Sequence, residues 1–151
     1  MGTLSEAREK TLNILTQGMK LQVQVDADGD ILVKFTDSST AVWFTFSQHD
    51  FKGDVPSQAF VHLTAPLLRE VAKSNEMFEW VATEGTAYRI GYVRAIPEED
   101  GGTVSLMFRY AMLADYLDED ELSTAMWTVI GTADDLDDEL QQKFGGKRWV
   151  D

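Results

Sequence analysis

Apolar residues change their spacing several times along the chain, and each change predicts a new element. Leu4, Ala7, Thr11, Leu12, Ile14 and Leu15 recur at helical spacing. Thr3 and Glu6 ahead of them have capping-box separation, and Gly18 offers a left-handed stop, so a helix is expected over 3–18. The period then falls to two. Leu21, Val23 and Val25 alternate with glutamines, Ile31, Val33 and Phe35 with Leu32 and Lys34, and Val42, Phe44 and Phe46 with Trp43 and Thr45. Turn-forming DADGD and TDSST separate these runs, which predicts a three-stranded antiparallel meander.

Residues 47–63 carry no sustained period and are expected to form a connecting loop, with a short extended piece at 59–63. Thr64 then stands as a cap, Pro66 falls in a first turn, and Leu67, Leu68, Val71 and Ala72 make a helical stripe ending at Ser74-Asn75. The apolar, aromatic run 77–83 reads as a strand. Tyr88, Ile90 and Tyr92 alternate with Arg89, Gly91 and Val93, and Val104, Leu106, Phe108 and Tyr110 alternate with Ser105, Met107 and Arg109. PEEDGG at 97–102 is a hairpin connection. Asp118 and Glu121 begin the clearest helix, whose stripe of Leu122, Ala125, Met126, Val129, Ile130, Ala133, Leu136 and Leu140 runs toward Gly145-Gly146. The expected fold is α+β: helix, three strands, helix, three strands, helix, with helices packed on one face of an antiparallel sheet. A single domain over 1–146 is expected, with 147–151 as a short, loosely held tail.

Alternation divides the strand residues into two sets. The apolar set, including Val33, Val42, Phe44, Tyr88, Ile90, Tyr92, Leu106 and Phe108, should face the helices. The other set is mixed and contains Gln22, Gln24, Leu32, Lys34, Trp43, Thr45, Arg89, Val93, Met107 and Arg109. Aromatic, methionine and arginine content together resembles an interaction surface, which makes Lys34, Trp43, Arg89, Met107 and Arg109 the candidate partner-binding residues. Cover by the protein's own elements, or pairing of the arginines with its own carboxylates, is the competing reading.

Composition narrows the chemistry. The 151 residues hold 26 acidic and 13 basic side chains, a formal charge of −13, which disfavours a phosphate-backbone partner. No cysteine is present, so disulfides and thiolate chemistry are excluded. No apolar run is long enough for a membrane span, and MGTLSEAREK has no apolar signal segment, so a cytoplasmic protein without a membrane partner is expected. The segment 115–139 carries ten acidic residues and no basic one. Asp134, Asp135, Asp137, Asp138 and Glu139 are expected on an outer face, solvated or docking a basic partner.

No catalytic frame emerges. DADGD has glycine fourth rather than sixth and reads as a hairpin turn, not a calcium loop. His49 and His62, the two histidines, lack a metal-ligand frame, and no strained nucleophile turn or phosphate loop is present. No catalytic residue, metal or cofactor is expected.

The stretches LLREVAKSNEMFEW and VSLMFRYAMLADYLDEDELSTAMWTVIGTADDLDDELQQKFGG, with Asn75, the connection at Leu113 to Leu117 and Phe144-Gly145-Gly146, resemble the YbjN family and its relatives with the type III secretion chaperone-like fold, including CesT-type chaperones. The resemblance spans most of the chain. It implies a small α+β fold with a curved antiparallel sheet, often dimeric, that binds peptide segments of client proteins and has no catalytic residues. The expected function is therefore a peptide- or protein-binding chaperone-like role on a sheet face or edge, as a homodimer. The alternative is a regulatory adaptor that acts by oligomerising with a folded partner. A metal-assisted hydrolase using His49 and Asp50 is the third and least supported reading.

Overall fold

In a computed structural model, residues 3–151 are described, and Met1 and Gly2, the start of the expected 1–146 unit, lie outside them. Thr3 accepts a hydrogen bond from the Glu6 backbone N–H at 3.1 Å and opens helix α1, Leu4–Asn13. The helix closes in one π turn, Ile14–Gly18, and positive φ falls at Lys20 rather than at Gly18. Four strands follow: β1 Gln24–Val25, β2 Ile31–Lys34, β3 Ala41–His49 and β4 Gln58–Ala72. Helix α2, Asn75–Thr83, then leads through a 3-10 turn to β5, Tyr92–Pro97, and β6, Thr103–Leu113. The long helix α3, Glu119–Phe144, precedes a two-residue strand β7, Lys147–Arg148. All seven strands share one sheet in the order β1-β2-β3-β4-β6-β5, every pair antiparallel, with β7 on β4.

The α+β class and the helices on one face agree with the sequence. The middle of the chain differs. Residues 58–72, expected as a loop with an extended piece at 59–63 and then a helix from Thr64, form the longest strand. Ala59, Val61, Leu63, Ala65 and Leu67 are buried while Gln58, Phe60, His62, Thr64 and Pro66 are only partly so. That period of two outlasts the Leu67-Leu68-Val71 spacing that suggested a helix. Pro66 is tolerated because the β3 ladder ends at Trp43↔Thr64, and its carbonyl accepts instead from Thr40 Oγ1 at 2.6 Å. Conversely, 77–83 is helical. Ser74 caps it by accepting from the Met77 N–H at 3.1 Å, and Met77, Trp80 and Val81 turn inward at i, i+3 and i+4.

The core lies between the sheet and the helices. Asp118 caps α3 through the Glu121 N–H at 2.8 Å, and Glu119, Asp120 and Glu121 sit where the helix dipole favours negative charge. Its stripe from Leu122 to Leu140 packs chiefly over β4 against Leu63, Leu67, Phe44 and Phe108. Each large aliphatic side chain buried this way contributes about 1.5–3 kcal/mol. The acidic run is not a uniform outer face. Asp137 is fully buried, its carboxylate accepting from Ser39 Oγ, and Asp134 accepts from Ser38 Oγ at 2.6 Å and the Ser39 N–H at 3.0 Å. These two aspartates pin the β2–β3 hairpin to α3, and burial pushes the Asp137 carboxyl up.

Alternation before β5 is also reset. Gly91 adopts φ 87°, and a Cβ there would collide with the Phe108 ring, so the chain crosses here without a side chain. Val93 is then buried against Phe108 while Tyr92 pairs with Arg109 on the opposite face, the reverse of the expected assignment. Replacing Gly91→Ala imposes both left-handed strain and the ring collision. The expected loss is roughly 2–4 kcal/mol, read as a lower urea midpoint; an unchanged midpoint would contradict this account.

Candidate functional site

Register carries one row of side chains across the sheet: Gln24, Leu32, Trp43, Thr64, Arg109 and Tyr92 are successive partners. All project from the face opposite α3, because their neighbours Val33, Phe44, Leu63 and Phe108 point into the core. The next rows place Thr45, His62 and Ala111 on one side, and Pro66, Met107 and Arg94 on the other. A groove of about 560 Å³ opens on this face. Its apolar lining is Trp43, Pro66, Leu68, Ile96, Met107 and Trp149; Thr45, Thr64 and Ser105 supply hydroxyls; Arg69, Glu98 and Arg109 supply charge. Volume and composition suit a side-chain-binding site.

Three of the five sequence candidates, Trp43, Met107 and Arg109, meet in this groove. Lys34 projects from the same face but lies nearer the β1 edge, in a separate depression with Gln22, Gln24 and Leu32. Arg89 does not join them. It is exposed in a bend before β5, because the strand begins only after Gly91. Thr64, Pro66 and Ile96 were missed. The alternation of Val61, Leu63, Ala65 and Leu67 marks the first two. The Gly91 reset, which swaps the faces of β5, places Ile96 here.

Electrostatics around the groove are uneven. Ser47 Oγ lies 2.7 Å from His62 Nε2. Burial, reinforced by the Arg109 charge, lowers the His62 imidazole from its usual value and so favours its neutral form. His49 lies elsewhere, at the exposed end of β3 against Phe51. Among the described residues the one carboxylate cluster with metal-like spacing is Asp26, Asp28 and Asp30, in the β1–β2 turn. There one Asp26 oxygen accepts from the Asp28 and Asp30 N–H groups at 2.9 and 3.0 Å, which is the turn chemistry expected of DADGD.

Residues 147–151, expected to be loose, close one end of the groove. The β4–β6 register shifts beyond Pro66 and again beyond Leu68, and Glu70 adopts φ 56°. At this bulged stretch β7 pairs with β4, Leu68↔Arg148 and Arg69↔Lys147. Arg148 bridges Asp138 at 2.7 Å and Asp151 at 3.2 Å, and Arg69 donates to the Asp151 carbonyl at 2.9 Å. Trp149 is thereby held against the groove while remaining 42% exposed.

The family model TY-Chap1, described as T3SS (YopN, CesT) and YbjN peptide-binding chaperone 1, matches residues 5–151. No curated protein matches the chain at a significant level.

The tail's attachment is expected to depend on pH. The Arg148 N–H at 3.0 Å, its guanidinium and Gln141 hold the Asp151 carboxyl at about 2, below the usual 3.8. A depressed carboxyl contributes stability above its unfolded value and loses it as pH falls through the folded one. The tail should therefore stay docked at neutral pH and detach progressively between about pH 4 and pH 2. A fluorinated Trp149 followed by ¹⁹F NMR checks this, and Asp151→Asn should loosen the tail at pH 7. A signal unchanged down to pH 2 in a folded sheet would contradict it.

Proposed function

The chain belongs to the family of T3SS (YopN, CesT) and YbjN peptide-binding chaperones, and we propose that it holds an extended client segment in the groove on the helix-free face of its sheet. The observation that carries this reading is the one-sided packing. Each helix joins the core on one face, and the opposite face presents a groove whose lining includes two tryptophans, a methionine and three hydroxyls. Tryptophan provides large contact area at small entropic cost, and methionine adapts to varied side chains. An extended chain laid there directs alternate side chains into the groove and leaves its backbone polar groups within reach of Thr45, Thr64 and Ser105.

The proposed role is binding without catalysis or cofactor. Glu98, the groove's carboxylate, accepts from the Glu70 N–H at 2.9 Å. Trp43, Met107 and Arg109 are the proposed contact residues, with Lys34 extending the surface toward β1 and Arg89 lying outside it. The outer edge of β5 has no strand partner among the described residues, which supports strand addition there by a client or by a second copy in a homodimer. The proposal places the protein in the cytoplasm. Among the described residues no helix is long and apolar enough to cross a membrane.

Titration with a capped extended peptide is expected to shift the Trp43 indole and Met107 methyl resonances. Met107→Ala and Trp43→Ala should each weaken binding about tenfold, the loss typical of a central contact residue. Circular dichroism would confirm that the variants fold. Shifts confined to α3, or capture of a folded stoichiometric partner with no peptide response, would favour the adaptor reading instead.

A further inference from the structure

Arg109 lies in the groove without a carboxylate partner among the described residues. Acidic residues outnumber basic ones 26 to 13, and Arg69, Lys143, Lys147 and Arg148 all find carboxylates. Arg109 makes no hydrogen bond or ion pair among the described residues, and its Nε is buried without a partner. A half-buried guanidinium in an apolar groove with an unmet donor is costly unless something else supplies the acceptor. Its charge is felt locally, since it helps depress the neighbouring His62. Arg94, exposed on the same face, adds to the positive field.

We infer that the groove selects client segments in which an aspartate or glutamate side chain stands two positions from a large apolar one, with the carboxylate on Arg109. The inference rests on the peptide-binding reading above. The spacing follows from the sheet. Arg109 and Met107 stand two residues apart on β6, roughly 6.8 Å along the strand, which is also the separation of same-side residues in an extended peptide. With its carboxylate on Arg109, such a peptide would place an apolar side chain among Met107, Pro66 and Ile96. The guanidinium fork suits a carboxylate in two-point contact. The ligand is a side-chain carboxylate rather than a chain end, because the face continues past Arg109 to the exposed Ala111 and Leu113 and lets a client run on.

The test uses the full chain and three probes: the acetylated, amidated octapeptide SGETLVGS, its counterpart SGQTLVGS, and acetylated SGSGTLV with a free C-terminal carboxyl. The glutamate peptide should bind the wild type about tenfold or more tightly than the glutamine peptide, the size of a charge-assisted contact. The difference should shrink at high salt, vanish in Arg109→Met and survive in part in Arg109→Lys. Circular dichroism and thermal melting of Arg109→Met serve as the control for folding. Equal affinities on the wild type, a preference that persists in Arg109→Met, or tight binding confined to the free-carboxyl peptide would each overturn the inference and leave the groove reading standing. If no probe shifts Trp43 or Met107, the groove reading falls and takes the inference with it.

Discussion

The two-sided demand on β4 governs the architecture. This strand is paired along both edges, with β3 and then β7 on one side and β6 on the other. A strand held in that way has no freedom to rotate about its axis, so successive side chains must go to opposite faces. Ala59, Val61, Leu63, Ala65 and Leu67 are committed to the core under α3. Phe60, His62, Thr64 and Pro66 are therefore committed to the other face, whatever their chemistry. Hydrogen-bonded register passes the same commitment outward to Trp43 on β3 and to Met107 and Arg109 on β6. The groove is thus the reverse side of the core packing.

Charge follows the same division. The acidic residues of α3 lie on the helix side, where Asp134 and Asp137 hold the β2–β3 hairpin and Asp138 receives Arg148. The groove keeps an arginine that none of those carboxylates reaches. Helices gathered on a single face leave the groove on the other. The bulge near Leu68 and Glu70 adds a boundary, since it bends β4 where β7 and Trp149 close one end of the groove. Much of that closure rests on exposed ion pairs and a short ladder, contacts that salt and acid weaken readily.

The sequence by itself determined the α+β class, the two cap-and-stripe helices at either end, the DADGD turn and the mixed character of the second face, because these depend on local period and local hydrogen bonding. Trp43, Met107 and Arg109 share the expected second face since β3 and β6 alternate without interruption. The sequence misassigned 64–74 and 77–83, where short apolar runs fit either period and only partners decide between them. Ser74 illustrates this: the same residue serves equally well as the end of one helix or the cap of the next, until β4 is seen to occupy everything before it. Tertiary structure alone decided the rest. The face of Tyr92 depends on a glycine crossing beneath Phe108, the burial of Asp137 on Ser39 nearly a hundred residues away, and the position of Trp149 on a strand pairing with Leu68 and Arg69. Such contacts join residues far apart in the chain, and no local spacing encodes which distant segment will arrive.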